Sequence, residues 1–318
     1  MLNESEAIGR CLDSIFSQDY PEKKTEILVA DGGSTDGARQ KVESLMRQHP
    51  NLRIVENLRR RTPSGLNAGI RSARGEIVII LGAHTRIKED FIRRNVEAME
   101  RKQVDCTGGT QINVGETFIQ KAIGFAMGSP FGLASAPYRF SRNEQFVDTV
   151  VYAAYKRSLF DEVGFFDEEL FLSEDAEMNW RIRKAGHRIF YSPKIVSYYY
   201  PRKTITGLFK QLFRYGILRV NVIKKHLDAV KWIHLVPLLF LTGLILCLAL
   251  RFWSVVIFLL GFYVLAVLYY SLRIAIREGF TYLPVLPLLL MTIHLSWGLG
   301  FVVGLFRSQE RCPKPSKF

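Results

Sequence analysis

Three uncharged stretches lying close together constrain this chain more than any other feature. Residues 232–250, 252–272 and 280–306 run for 19, 21 and 27 positions without Asp, Glu, Lys or Arg. A helix needs about 20 apolar residues to cross the hydrocarbon of a bilayer, so the second and third runs qualify by length. The first is shorter and contains His234 and Pro237. A soluble domain accommodates a buried core helix of this kind, but three within 75 residues leave too little polar surface to cover them. The expectation is a membrane protein with two to three transmembrane helices over 232–306.

The charges divide accordingly. Residues 1–231 carry 36 basic and 28 acidic side chains, whereas 232–318 carry 7 and 2. Anionic lipid headgroups account for that excess, and no groove-reading or base-stacking motif argues for a nucleic acid. Arg214, Arg219, Lys224, Lys225 and Lys231 lie just ahead of the apolar runs and mark that side as cytoplasmic. Three crossings would then put the tail, with Arg307, Arg311, Lys314 and Lys317, on the far side, against the same rule. Only Arg251 separates the first two runs, and Pro284 and Pro287 interrupt the start of the third. A run that re-enters or lies in the interface would leave an even number of crossings. The sequence leaves both counts open. Asn3, Glu4 and Glu6 break up the opening residues, so no signal peptide is read there, and the bulk of the chain is expected in the cytosol. Cys11, Cys106, Cys247 and Cys312 are far apart, which fits a reducing compartment rather than a zinc site or a disulfide scaffold.

Ahead of the membrane region the pattern alternates. Ile8, Leu12, Ile15 and Phe16 fall at helical spacing, and residues 26–30 read as a short buried strand. A helix is expected at 36–48, a strand at 52–56, a helix at 63–73 and a strand at 76–81. Such alternation predicts an α/β fold with a mostly parallel sheet flanked by helices. Ligands of these sheets bind beyond the carboxyl ends of the strands. That rim would carry the turn from Asp31 to Asp36 and the segment Gly82-Ala83-His84.

Four segments could carry chemistry, and each also has a structural reading. A carboxylate in the Asp31–Asp36 turn can hydrogen-bond a ribose or a base, yet the same residues cap helices and close turns. His84 could ligate a metal or touch a phosphate, or simply be a polar loop residue. Leu172-Ser173-Glu174-Asp175 is followed by a helix read over 176–185 that stops at Gly186; acidic residues in a first helical turn suit the dipole, and Ser173 would serve as the cap. Gln211 through Tyr215 sit in a basic, aromatic stretch, which also suits an amphipathic helix at a headgroup surface.

In order along the chain, however, these segments resemble one family. Leu2-Asn3-Glu4-Ser5-Glu6, Asp31-Gly-Gly-Ser-Thr-Asp36, Leu66-Asn67-Ala68-Gly69, Ala73-Arg74-Gly75, Val163 through Glu168, Ser173-Glu174-Asp175 and Arg183-Lys184-Ala185-Gly186 resemble the family 2 glycosyltransferases of GT-A fold. Arg61 through Ile70, Ala83-His84, Val147 through Val150 and Gln211 through Gly216 are similar to the succinoglycan-type bacterial exopolysaccharide transferases. The likeness covers residues 1 to about 230.

The resemblance implies a nucleotide-sugar donor, an acceptor hydroxyl and inversion at the anomeric carbon. It makes Asp175 the base, with Glu174 beside it, and Asp31 the nucleotide-contacting aspartate. Asn3, Glu4, Asp36, Arg61 and Asn67 are carried over as donor-binding positions. Gln211, Arg214 and Tyr215 match the family's Gln-x-x-Arg-Trp element with Tyr in place of Trp. A divalent cation, manganese or magnesium, is implied too, but the usual Asp-x-Asp reads Gly82-Ala83-His84, which leaves His84 as a lone candidate ligand. A second departure is at the start. The family opens with an apolar strand, central in its sheet, and this chain opens at Met1-Leu2. The first strand is therefore expected to be missing, with a start lying upstream preferred over a sheet that folds without it.

The expected organisation is a cytosolic catalytic domain at 1–200, a basic interfacial segment at 201–231, membrane helices at 232–306 and a basic tail at 307–318. The implied location is a bacterial cytoplasmic membrane. The implied acceptor is a lipid-linked sugar or another glycan. A processive polysaccharide synthase and a non-catalytic scaffold with a degenerate domain are the alternatives.

Overall fold

A computed structural model describes residues 1–134, 136–170, 174–226, 228 and 232–307. Ser173, Lys231 and the tail cations beyond Arg307, singled out in the sequence, lie outside them. The chain divides into two compact units, one of residues 1–112 and 136–199, the other of 113–135 and 200–318. Residues 113–135, which sequence blocks place in the catalytic domain, therefore pack with the apolar C-terminal helices.

The first unit begins with helix α1 (Ile8–Phe16), strand β1 (Ile27–Asp31), helix α2 (Ala38–Met46) and strand β2 (Leu52–Glu56). Helix α3 (Thr62–Ser72) and strand β3 (Ile77–Ile79) follow. Each falls where the sequence periodicity predicts it. Ile8, Leu12, Ile27, Val29, Val42 and Leu52 form one core between α1, α2 and the β1–β2 pair. Burying a side chain of this size contributes about 1.5–3 kcal/mol, so three short elements suffice to fix the rim that follows β1.

β1 and β2 pair in parallel, from Ile27 opposite Leu52 to Asp31 opposite Glu56. The rest is a separate six-stranded sheet containing β3, β4 (Thr85–Ile87), β5 (Cys106–Asn113), β6 (Gln145–Val147), β7 (Ala154–Lys156) and β8 (Ile189–Tyr199). There β3 and β5 run antiparallel to β7, and β4 and β6 antiparallel to β8. The six-stranded sheet is thus mixed rather than mostly parallel, and among the strands before β4 only β1 and β2 keep the parallel pairing that the alternation predicts. At the opening residues the Met1 amino group donates to the Ala30 carbonyl, and the Gly32 N–H donates to the Met1 carbonyl at 2.9 Å, which ties this segment to the end of β1.

Helix α4 (Phe91–Lys102) precedes β5, while α6 (Leu159–Val163) and α7 (Glu174–Lys184) lie between β7 and β8. β5 and β8 approach closely at Gly109, where a Cβ would stand 1.9 Å from the Ile195 carbonyl oxygen. Met178 and Ile182 of α7 pack with Tyr155, Phe160, Phe166 and Tyr191 in the main core. Beyond the helix, Gly186 turns the chain at φ 92°. His187 then sits between two carboxylates, Asp105 at 2.7 Å and Glu162 at 2.9 Å, with Lys156 on the far side of Asp105 at 2.6 Å.

Burial opposes the His187 charge, but the bonds to Glu162 and Asp105 outweigh it and raise the pKa. A raised histidine pKa contributes stability that is complete below the unfolded value of about 6.5 and is lost as pH climbs through the folded value. The difference in thermal midpoint between the native chain and His187→Gln should therefore be widest near pH 6 and narrow steadily toward pH 9. An unchanging difference across that range would refute the assignment.

The second unit contains α5 (Phe118–Met127), α8 (Ile205–Lys225), α9 (Trp232–Ala249), α10 (Trp253–Glu278) and α11 (Leu286–Phe306). Among the described residues, α10 and α11 are long and apolar enough to cross a membrane. The loop after α5 is tied to both. His294 Nε2–H donates to the Phe131 carbonyl at 2.8 Å, and Tyr263 O–H lies 3.0 Å from Nδ1, which accepts in the neutral ring. Phe131 also stacks on Tyr270 with centroids 4.5 Å apart.

Candidate active site

The rim of β1 is built from two loops knitted together. Asp31 is fully buried, and its Oδ1 accepts the Ser34 hydroxyl at 2.6 Å while Arg39 approaches Oδ2 at 3.4 Å. Asn3, held at φ 55°, accepts the Thr35 N–H on its side-chain oxygen at 2.9 Å. Its own N–H donates to Ser34 Oγ at 3.0 Å. Asp36 accepts the Ser5 N–H at 2.8 Å and the Ala38 N–H at 3.0 Å, so it joins the opening segment to the start of α2. The Ser5 bond is the main reason its pKa falls.

Glu4 and His84, distant in sequence, meet at this rim. Glu4 Oε1 lies 3.5 Å from His84 Nδ1, and both side chains are partly exposed. No group of three or more His, Cys, Asp or Glu side chains able to hold a metal occurs among the described residues. One imidazole and one carboxylate do not fit a resident manganese or magnesium ion, which prefers a fuller set of hard oxygen ligands. Among the basic side chains at this rim, the Arg60 guanidinium packs over Gly33, where a Cβ would sit 3.0 Å from Nη2.

Its neighbours are committed elsewhere. Arg59 pairs with the Glu168 carboxylate at 2.8 Å, and Arg61 donates to the Glu168 carbonyl at 3.4 Å. Asn67 is buried, and its amide exchanges hydrogen bonds with the backbone of Phe166 at 2.8 and 2.9 Å. Arg61 and Asn67 thus hold the loop that leads into α7.

Glu174 and Asp175 open α7, both half-buried. Desolvation drives both pKa values above the ordinary carboxylate range, and the Asp175 charge raises Glu174 further. The Asp175 charge also reaches Tyr152, Tyr155 and Cys106. Tyr152 links this pocket to the rim: it takes φ 50°, unusual for a bulky residue, and its ring lies beside Gly82.

Glu177, Asn179 and Arg181, which help to fix α7, were not among the residues read from sequence. Arg181 forks onto the buried Glu177 with two contacts of 2.8 Å. It also donates to the Val163, Gly164 and Phe165 carbonyls, the last two at 3.1 and 2.8 Å. Asn179 donates to Thr149 Oγ1 and the Val150 carbonyl, and Arg183 pairs with Asp148 at 3.2 Å. The Glu177/Arg181 spacing of four was the available signal. Gln211, Arg214 and Tyr215 lie on α8 in the second unit, where Gln211 donates to the Tyr215 hydroxyl at 3.0 Å.

A mixed α/β sheet with this rim, and an acidic pair opening a helix beside it, defines a glycosyltransferase of the GT-A type. A solved structure of that fold, the mannosyltransferase PcManGT from Pyrobaculum calidifontis in complex with GDP-Man and Mn2+, superposes with a TM-score of 0.61. It is 22% identical and covers 93% of this chain and 84% of its own.

Residues 1–164 match the family described as Glycosyl transferase family 2, and the chain belongs to it. One relative is the dolichyl N-acetyl-alpha-D-glucosaminyl phosphate 3-beta-D-2,3-diacetamido-2,3-dideoxy-beta-D-glucuronosyltransferase of Methanococcus voltae. It is 29% identical over 316 residues, 97% of this chain and 96% of the relative. The succinoglycan biosynthesis protein ExoA of Rhizobium meliloti (strain 1021) is 29% identical over 307 residues, 94% of this chain and 91% of its own.

Proposed function

We propose that this glycosyltransferase moves a sugar from a nucleotide-sugar donor to a lipid-linked acceptor, with inversion, at the cytosolic face of a bacterial cytoplasmic membrane. The observation that carries the reading is the desolvated pair Glu174–Asp175 at the head of a helix locked in place by Arg181 and Asn179. A carboxylate with a raised pKa is a competent proton acceptor near neutral pH. Asp175 takes the proton of the acceptor hydroxyl as its oxygen bonds to the anomeric carbon. The bond from that carbon to the donor phosphate breaks, and its electron pair leaves on the nucleoside diphosphate. Arg60 is suited to meet the departing charge, and Asp31, Asn3, Glu4 and Asp36 shape the nucleotide side of the rim.

The acceptor assignment is supported by the relative from Methanococcus voltae, named for a dolichyl phosphate-linked acceptor, and by the two long apolar helices. Gln211, Arg214 and Tyr215 are read as donor-side residues from the family likeness.

The test is transfer by the full chain in nanodiscs. UDP-, GDP- and TDP-sugars would each be offered with a polyprenyl-phosphate-linked sugar, with and without manganese. One nucleotide class should yield a lipid-extractable product with one added sugar and inverted configuration. A long polymer would instead make the enzyme a processive synthase. No transfer and no nucleotide binding by the folded protein would defeat the proposal.

A further inference from the structure

The second unit resolves a question that hydropathy leaves open, namely which apolar helices the bilayer surrounds. By length and composition α11 is a membrane span. Besides α9 and α10 it packs most extensively against α8, which is not apolar. α8 lies against it with the backbones in contact at three glycines. A Cβ on Gly216 would stand 2.4 Å from the Trp297 carbonyl oxygen, and one on Gly300 would stand 2.0 Å from that of Phe213. One on Gly304 would stand 3.0 Å from Ile217 Cα. The register rises in the same direction on both helices, from Phe213 beside Gly300 to Ile217 beside Gly304, so they run parallel. At the shared end, the Lys224 ammonium donates to the Gly304, Leu305 and Arg307 carbonyls at 2.9, 3.0 and 2.9 Å. It thereby caps the orphan carbonyls of α11.

α8 cannot accompany α11 through hydrocarbon. Arg202 and Lys203 precede it, and Lys210, Arg214, Arg219, Lys224 and Lys225 are spread along its 21 residues. A helix of that length is about 31 Å long, so no position along it is far from a cation. Even on insertion scales each Arg or Lys near the bilayer centre costs about 2.5–3.5 kcal/mol.

Exposure separates the helices further. On α11 the exposed side chains Leu288, Met291, Leu295, Leu299 and Val303 follow one stripe, with buried and half-buried residues on the other faces up to the last turn, where Leu305 and Phe306 are exposed as well. α9 and α10 are instead exposed on most sides, and only 17% of the most apolar window of α10 is buried, against 50% for α11. α9 and α10 join through Arg251 at φ 59°, and the Phe240 and Tyr263 rings pair between them 5.2 Å apart. Trp232 stands at one end of this hairpin and Trp253 at the other, both exposed. The 18 residues of α9 span about 27 Å, close to the ~30 Å hydrocarbon thickness, and aromatic residues favour the two water interfaces.

We infer that the bilayer is crossed twice, by α9 and α10, and that α11 does not cross it. α11 stays on the side of α8, its single apolar stripe against lipid and its remaining faces in protein. Two crossings return Arg273, Arg277 and Arg307 to the side that carries the α8 cations, which satisfies the positive-inside rule. The inference rests on the membrane-bound part of the proposed function.

Single cysteines test it. Lys203→Cys, Ser254→Cys and Arg307→Cys would each be placed in a chain carrying Cys247→Ser and Cys312→Ser; Cys11 and Cys106 are buried. A membrane-impermeant maleimide is then applied to sealed right-side-out and inverted vesicles. Positions 203 and 307 should label from one face and 254 from the opposite face. Labelling of 307 from the face opposite to 203 would mean that α11 crosses, and overturns the inference. Labelling of 254 from the same face as 203, or from neither, overturns the crossing hairpin. Protein released from vesicles by carbonate would instead reject the membrane-bound reading itself.

Discussion

Asp175→Asn should lower sugar transfer by about 10²–10⁴-fold, the usual contribution of a positioned general base, while nucleotide binding stays unchanged. Asparagine keeps the shape of the side chain but cannot accept the proton of the acceptor hydroxyl. The same chemistry sets the pH profile. Burial lifts the Asp175 and Glu174 pKa values, so a larger fraction of the pair is protonated at mildly acidic pH than for exposed carboxylates. Protonated carboxyl groups are not bases. Transfer should therefore rise with pH through a midpoint above the ordinary carboxylate range, and the residual activity of Asp175→Asn should lack that limb. The comparison needs initial rates at saturating donor, alongside a nucleotide titration of both proteins. Turnover within a few-fold of native in the variant would move the base elsewhere.

Arg181→Ala should be the most destabilising of the single substitutions near the site. It removes both guanidinium contacts to the Glu177 carboxylate, which is 1% exposed, and the donors that meet three consecutive carbonyls at 163–165. Breaking a buried pair by deleting one partner costs about 3–5 kcal/mol. For a unit of this size that lowers the thermal midpoint on the order of 10 °C. Glu177→Leu combined with Arg181→Met should recover much of the loss, since apolar replacement of a whole buried pair is often close to neutral. The carbonyls would still lack donors, so recovery should be incomplete. Thermal unfolding of the three variants decides it: a shift of only a degree or two for Arg181→Ala would mean that the fork contributes little.

Local pattern carried the reading of elements up to β3, because each is set by apolar spacing and turn residues within a dozen positions. The turn after β1 and the start of α7 were legible for the same reason. The family likeness marked Arg61 and Asn67 as donor-binding, and no local pattern tells that their side chains also bond the Phe166–Glu168 loop about a hundred residues away. Glu177 and Asn179 were not singled out, since nothing local tells a buried polar side chain from a solvated one. The meeting of Glu4 with His84 was equally hidden, although both were singled out separately.

The apolar C-terminal region divides along the same line. Composition alone determined that the last third of the chain holds long apolar helices, and charge spacing set the basic stretch of α8 apart from them. Which apolar helix lies against protein was decided by the glycine seam between Phe213 and Gly304 and by the Lys224 cap. The packing of residues 113–135 with the C-terminal helices was decided in the same way. Hydropathy and periodicity are properties of a residue and its near neighbours, so the sequence states them outright. Pairing between segments eighty or more residues apart depends on the shapes of two surfaces at once, and those exist only when the chain has folded.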